Sequence, residues 1–141
     1  MTLTASNQHA DSGATYQHLE IVRLEENFLK LVLNMHGKSV NVLSSELVTE
    51  LMDCIPALKK DESIQGLLIT SGKPKQFIAG ANIEEIFDLK DAKEASEKAR
   101  YGQQMMDLIE NLPFPTVSVI DGPTLGGGLE FALSTTYRVA S

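Results

Sequence analysis

The sequence predicts an α/β protein. Short apolar runs alternate along the chain with longer segments that have helical periodicity. One of these runs, Ile64–Thr70, is continuously apolar, as is typical of a strand buried in a parallel sheet. Two others, Phe77–Ala81 and Thr116–Ile120, lead through small residues into the start of a helix. Strands joined by helices in this way predict right-handed crossover connections.

Composition limits the classes of protein that fit. The 141 residues suffice for one modest core, 43% of them are hydrophobic, and the formal net charge is −7. This acidity argues against nucleic acid or an anionic membrane as the main partner, and no apolar run reaches the length of a membrane span. A lone Cys54 forms neither an intramolecular disulfide nor a metal site, and no secretory signal opens the chain. We expect a cytoplasmic protein without a metal, with a polar tail over residues 1–15 and a domain over residues 16–141.

Local patterns predict the first elements. Leu19–Arg23 and Phe28–Leu33 predict an antiparallel hairpin. Ser44 or Ser45 is a suitable N-cap for a helix that continues to Lys59, with a kink or break expected at Pro56.

The second half of the chain predicts two further helices before the last strands. Asn82 is placed to cap a short helix, and Asp91 to cap the longest one. The charged side chains of that long helix predict a solvated face: Lys93, Glu94, Glu97, Lys98 and Arg100. A strand begins near Tyr137 and stops with the chain, so we expect an N-terminal fragment of a longer domain.

A glycine turn is the most informative stretch. Residues 119–132 read VIDGPTLGGGLEFA, a strand end followed by Gly126, Gly127 and Gly128 and then by helical spacing. Bare amides at a helix start, where the helix dipole favours negative charge, predict an oxyanion-binding turn, with Glu130 as a carboxylate just behind it. The third glycine of a dinucleotide fingerprint and the Gly-Lys-Ser/Thr of a P-loop are both missing. The alternative is an ordinary tight connection between strand and helix.

A second turn repeats this arrangement. Ala79, Gly80 and Ala81 are small residues directly before the helix that Asn82 caps, so their backbone is reachable from outside. Two such turns facing one point would supply two convergent N–H donors.

Two motifs resemble the signatures of the enoyl-CoA hydratase (crotonase) superfamily: FIAGANIEEI at 77–86 and IDGPTLGGGLEFAL at 120–133. The resemblance runs from about Leu19 to Ser141 and is nearest to the hydratase part of multifunctional fatty-acid oxidation α-subunits. It implies an α/β fold, a crotonase-like spiral of ββα units, of which this chain would be the N-terminal portion. It also implies addition of water across the 2,3 double bond of 2-enoyl-CoA.

The resemblance assigns roles to residues of both motifs. Ala81 and Gly127 would donate their amides to the thioester oxygen, and Glu130, expected to be partly buried, would act on the water. The neighbouring backbone would bind substrate: Ala79, Gly80, Asn82, Gly126 and Gly128. Asn82 departs from the aspartate usual at its position, and the second hydratase glutamate would lie beyond Ser141. The fragment alone is therefore expected to be inactive.

Other readings remain open at this stage. Isomerisation, thioester hydrolysis and decarboxylation share the two turns, and a non-catalytic acyl-CoA-binding relative would keep them without chemistry. The resemblance implies no cofactor in this segment beyond the coenzyme A of the substrate, with NAD only if a dehydrogenase domain follows. It implies a homo- or hetero-oligomer for the full-length protein.

Overall fold

A computed structural model describes residues 14–141 and shows one five-stranded sheet. Its strands are β1 (Leu19–Arg23), β2 (Phe28–Leu33), β3 (Gly66–Ser71), β4 (Thr116–Ile120) and β5 (Tyr137–Ala140), adjacent in that order. β1 and β2 form the predicted antiparallel hairpin, and every later pair is parallel. The predicted α/β class is confirmed. Most of the expected tail, residues 1–13, lies outside the described part of the chain.

Four helices connect and cover the strands: α1 (Ser45–Lys59), α2 (Ile83–Phe87), α3 (Ala92–Glu110) and α4 (Gly127–Ser134). Ser44, Asn82 and Asp91 cap α1, α2 and α3, each accepting a hydrogen bond from an amide of the first turn. The predicted N-caps are therefore correct. Within residues 14–141, no helix is long and apolar enough to cross a membrane.

The core lies between the sheet and the helices. Leu29, Leu31 and Leu33 alternate along β2 and are fully buried, so this strand turns one face to the core. Helix α1 has a row of buried side chains that follows its 3.6-residue period: Leu47, Val48, Leu51, Cys54, Ile55 and Leu58.

The break considered at Pro56 is absent from α1. The helix is continuous from Ser45 to Lys59, and Ile55 and Leu58 on either side of the proline are buried. Pro56 lies in the last turn, where only a short piece of helix depends on the missing amide. Burial of the flanking side chains outweighs that loss.

Residues 77–81 do not form a strand, which corrects a second expectation. In place of strand pairing, this segment has two isolated parallel bridges, between Leu43 and Ala81 and between Ile78 and Thr124. Gly80 has a φ of +136°, a conformation that interrupts an extended strand and that side chains disfavour. We call this bent segment, residues 77–81, the ribbon. It lies between the loop that carries Leu43 and the loop that carries Thr124.

Candidate active site

The glycine turn leaves an amide at the start of α4 without a partner. Gly126 is the N-cap, with φ 50° and ψ −123°, and has no side chain to satisfy the first turn. Its carbonyl accepts from the amides of Leu129 (2.9 Å) and Glu130 (3.1 Å). Among the hydrogen bonds of residues 14–141, none uses the Gly127 amide as donor. As the first helical residue, Gly127 has no acceptor within its own helix.

A second free amide belongs to Ala81. The Leu43 amide donates to the Gly80 carbonyl at 2.8 Å, and the Leu43 carbonyl accepts from the Asn82 amide at 3.2 Å. This parallel bridge holds the chain on both sides of Ala81 and turns the N–H of Ala81 away from Leu43. In the described part of the chain, the Ala81 amide donates to no other group.

The two turns meet. A Cβ built on Gly127 would lie 3.9 Å from the Ala81 nitrogen and 3.8 Å from Oε2 of Glu130. The Ala81 nitrogen and the Glu130 carboxylate therefore border the same space beside Gly127, and the nearest neighbour of that Cβ would be Leu43 Cδ1 at 3.1 Å. Two main-chain donors and a carboxylate around one point are what a site for a developing oxyanion requires.

Gly128 explains how α4 comes so close to the ribbon. It is buried, and a Cβ there would lie 2.3 Å from the carbonyl oxygen of Ile78. The amide of Leu125 donates to the same carbonyl at 3.3 Å, while the Gly128 amide donates to the Leu125 carbonyl. The third glycine of the triplet is thus required by packing and brings Gly127 beside Ala81.

Asn41 fixes the ribbon from the other side. Its side chain is fully buried, accepts from the Met35 amide at 3.0 Å and donates to the Leu33 carbonyl and to Ser71 Oγ, both at 2.9 Å. Its backbone carbonyl accepts from the Ala79 amide at 2.9 Å. One buried amide side chain therefore ties the ends of β2 and β3 to the segment that carries Ala81.

A cavity of about 640 Å³ opens over the two amides. This volume lies within the range of small-molecule sites. Its walls come from the N-terminus of α1, the ribbon, α2, one face of α3 and the start of α4, and its lining includes Ala81, Asn82, Gly127 and Glu130.

A polar network around Glu85 joins three helices at the cavity wall. The Glu85 carboxylate accepts from the amide and hydroxyl of Ser45, from Nδ2 of Asn82 at 3.2 Å and from Nζ of Lys98 at 3.3 Å. Burial opposes its charge, but the Ser45 and Lys98 donors outweigh burial and lower the pKa of Glu85. Lys98 and Glu97 also line the cavity, although the other charged residues of α3 form the predicted solvated face.

Glu130 is exposed, which corrects the expectation of partial burial. It stands in the first turn of α4 and lines the cavity. Within residues 14–141, no group of three or more His, Cys, Asp or Glu side chains is placed to hold a metal ion.

The structure brings four of the eight predicted site residues to the cavity. Ala81, Asn82, Gly127 and Glu130 line it, whereas the other four are not among its lining residues: Ala79, Gly80, Gly126 and Gly128. Ala79 donates to Asn41, and Gly80 and Gly128 are buried. Substrate binding by these four remains a prediction, while their observed contacts are with the protein itself.

Sequence reasoning missed Asn41, Glu85 and the cavity face of α3. A lone amide residue within the polar loop after β2 carries no local signal of burial, although its place between two valines in Val40–Val42 is a weak hint. Glu85 reads as an ordinary first-turn acid until α1 and α3 are packed around it.

Named relatives match this chain over most of its length. It is 43% identical over 120 residues to a fatty acid oxidation complex subunit alpha of Aliivibrio fischeri, and 36% identical over 121 residues to one of Shewanella halifaxensis. These alignments cover 83% and 86% of this chain but only 17% of each relative. The chain thus spans about a sixth of the length of these curated relatives, and the expected likeness to such α-subunits is confirmed.

The fold is that of solved enoyl-CoA hydratases. An enoyl-CoA hydratase from Bacillus anthracis superposes with a TM-score of 0.81 at 26% identity, over 88% of this chain and 47% of that one. The family model for enoyl-CoA hydratase/isomerase matches residues 26–141, which include both turns and the cavity between them. The chain belongs to the enoyl-CoA hydratase/isomerase family.

Proposed function

We propose that the full-length protein adds water across the 2,3 double bond of 2-enoyl-CoA thioesters in fatty-acid β-oxidation. The observation that carries this proposal has two parts. The Ala81 nitrogen and Oε2 of Glu130 lie 3.9 Å and 3.8 Å from a Cβ built on Gly127, and the amides of Ala81 and Gly127 have no acceptor in the described part of the chain. Family membership and the names of the relatives support the same reaction.

The geometry suits each stage of hydration. The two amides hold the thioester oxygen, and they stabilise the negative charge that reaches this oxygen when water oxygen bonds to C3. A proton is then delivered to C2 as the enolate returns to the thioester. Glu130 lies within reach of the same point and orients or activates the water. Water and the enoyl thioester balance the reaction, so it requires no further cofactor.

Replacement of Glu130 tests the proposal. In the full-length protein, Glu130→Gln should lower kcat for crotonyl-CoA hydration by about 10²-fold or more, because the amide cannot exchange a proton with water. Glu110→Gln is the matched control, since Glu110 is exposed and does not line the cavity. Loss of the conjugated enoyl thioester absorbance measures the rate. An unchanged rate in Glu130→Gln would remove this residue from the mechanism.

Binding and turnover assays on the full-length protein distinguish hydration from the other reactions of the family. Binding of a saturated acyl-CoA in calorimetry without hydration, isomerisation, thioester cleavage or decarboxylation would identify a non-catalytic acyl-CoA-binding protein. Turnover of a 3-enoyl-CoA to the 2-enoyl isomer would identify an isomerase. The placement of Glu130 beside Gly127 favours hydration.

Location and assembly complete the proposal. We place the protein in the cytoplasm, where its buried Cys54 stays reduced; burial raises the pKa of this thiol to about 12, so it is a poor nucleophile. We place the full-length chain in a multi-subunit assembly, because its relatives are named subunits of a complex. Light scattering on the full-length protein measures the number of copies. A nicotinamide cofactor enters only with a dehydrogenase domain elsewhere in that protein.

A further inference from the structure

Gly102 stands in the interior of α3, on the face that borders the cavity. It is half-buried and lines the same space as Ala81, Gly127 and Glu130. Ala99 lies one turn before it and Met106 one turn after it, and both also line the cavity. Gly102 is therefore part of the wall that faces the two amides.

Nothing in the fold requires glycine at this position. The φ of Gly102 is outside the left-handed region, and a Cβ built there would meet no atom within 4 Å. Glycine in the interior of a helix lowers its stability relative to alanine. The missing side chain therefore weakens α3 and leaves open volume in the cavity.

Most of the wall around that volume is apolar. Ala95, Ala99 and Met106 share the cavity face of α3 with Gly102 and bring no hydrogen-bonding group except the thioether. The polar lining residues of the same helix are Glu97, Lys98, Tyr101 and Gln103. Such a wall suits an alkyl chain better than a charged group.

We infer that Gly102 sets the length of acyl chain that the site accepts, by leaving room beside α3 for the distal carbons of the substrate. The inference rests on the proposed function, since it places an acyl thioester in this cavity. A larger side chain at residue 102 would shorten the space and exclude long chains, while short chains would still reach both amides.

The test compares how the full-length protein hydrates substrates with long and short acyl chains. Gly102→Leu should lower the ratio of kcat/KM for 2-decenoyl-CoA to kcat/KM for crotonyl-CoA by about 10-fold or more, as expected when a hydrophobic pocket loses room for methylene groups. Gln104→Leu is the matched control, because Gln104 is an exposed residue of α3 outside the cavity lining. An unchanged ratio of the two substrates in Gly102→Leu would overturn the inference.

Two further measurements separate this result from a failure of folding or of the proposed function. Gly102→Ala should keep or raise the melting temperature, and a lower value would show that the space beside α3 is not free. Calorimetry compares butyryl-CoA with decanoyl-CoA. Selective loss of decanoyl-CoA binding in Gly102→Leu would uphold the inference even in a protein without hydratase activity, and equal binding would refute it. Absence of hydration in the unmodified protein would refute the proposed reaction alone.

Discussion

Gly128 and Gly102 are both helical glycines, but their surroundings are opposite. A Cβ at Gly128 would collide with the Ile78 carbonyl at 2.3 Å, and one at Gly102 would meet nothing. Gly128→Ala should therefore lower the free energy of unfolding by about 1–3 kcal/mol, because backbone must move to admit the methyl group. Gly102→Ala should raise it by up to about 1 kcal/mol. Urea-unfolding midpoints of the two variants measure the difference, and equal midpoints would contradict the packing role of Gly128.

Asn41 gives a second prediction for a single residue. Asn41→Leu should cost at least about 2 kcal/mol of stability, because the buried Met35 amide loses its acceptor and the Phe77 carbonyl loses a donor. Hydrogen exchange at the amides of Ala79 and Asn82 should accelerate as the ribbon loosens. Asn111→Leu is the control, since this exposed side chain bonds only within its own helix end. Slow exchange retained in Asn41→Leu would show that the ribbon stands without it.

Among the elements, the sequence predicted best where one local rule decides. Strands β1, β2 and β4 have the predicted bounds, because each is a short apolar run bounded by turn or polar residues. The break considered at Pro56 is absent because proline there costs less free energy than burial of the neighbouring side chains of α1 contributes. The strand predicted at 77–81 is absent because its apolar residues are buried by loops and by α4. No local sequence pattern reveals burial of this kind.

The candidate site likewise contains features that local sequence predicts and features that only tertiary contacts create. The turns that carry Ala81 and Gly127 are local features of glycine and alanine, so they could be predicted. Asn41 and Glu85 act through residues distant in the chain, such as Ser71 and Lys98, and their roles exist only after folding. Tertiary contacts of this kind have no periodicity to detect.

The contact between α1, α2 and α3 should depend on pH through Glu85. The pKa of Glu85 is lowered in the folded protein from its ordinary value of 4.5, so the carboxylate stabilises the fold above about pH 4.5. That contribution is lost as the pH falls through the lower, folded pKa. The difference in unfolding free energy between the unmodified protein and Glu85→Gln should shrink across this acid range. A difference that is constant from neutral to acid pH would show that the charge of Glu85 contributes nothing.

At the scale of the whole molecule, the described chain supplies the candidate catalytic residues but leaves two of them open to solvent. Ala81 and Glu130 are exposed, and the chain covers 47% of a solved relative with the same fold. We expect residues 1–141 alone to show no crotonyl-CoA hydration, because water at an open site screens the two amides and competes for them. Circular dichroism should first establish that the isolated segment is helical. Detectable turnover by that folded segment would contradict this expectation.

The groups proposed to hold the thioester oxygen are peptide N–H groups, so the genetic code offers no side-chain deletion that removes them cleanly. Changing Ala81 or Gly127 to a larger residue blocks the space without abolishing the donor. An ester linkage in place of the peptide bond, introduced by chemical ligation or an α-hydroxy acid, exchanges N–H for oxygen and preserves every side chain. Such backbone editing at Ala81 and at Gly127, singly and together, would measure how the two donors share the charge.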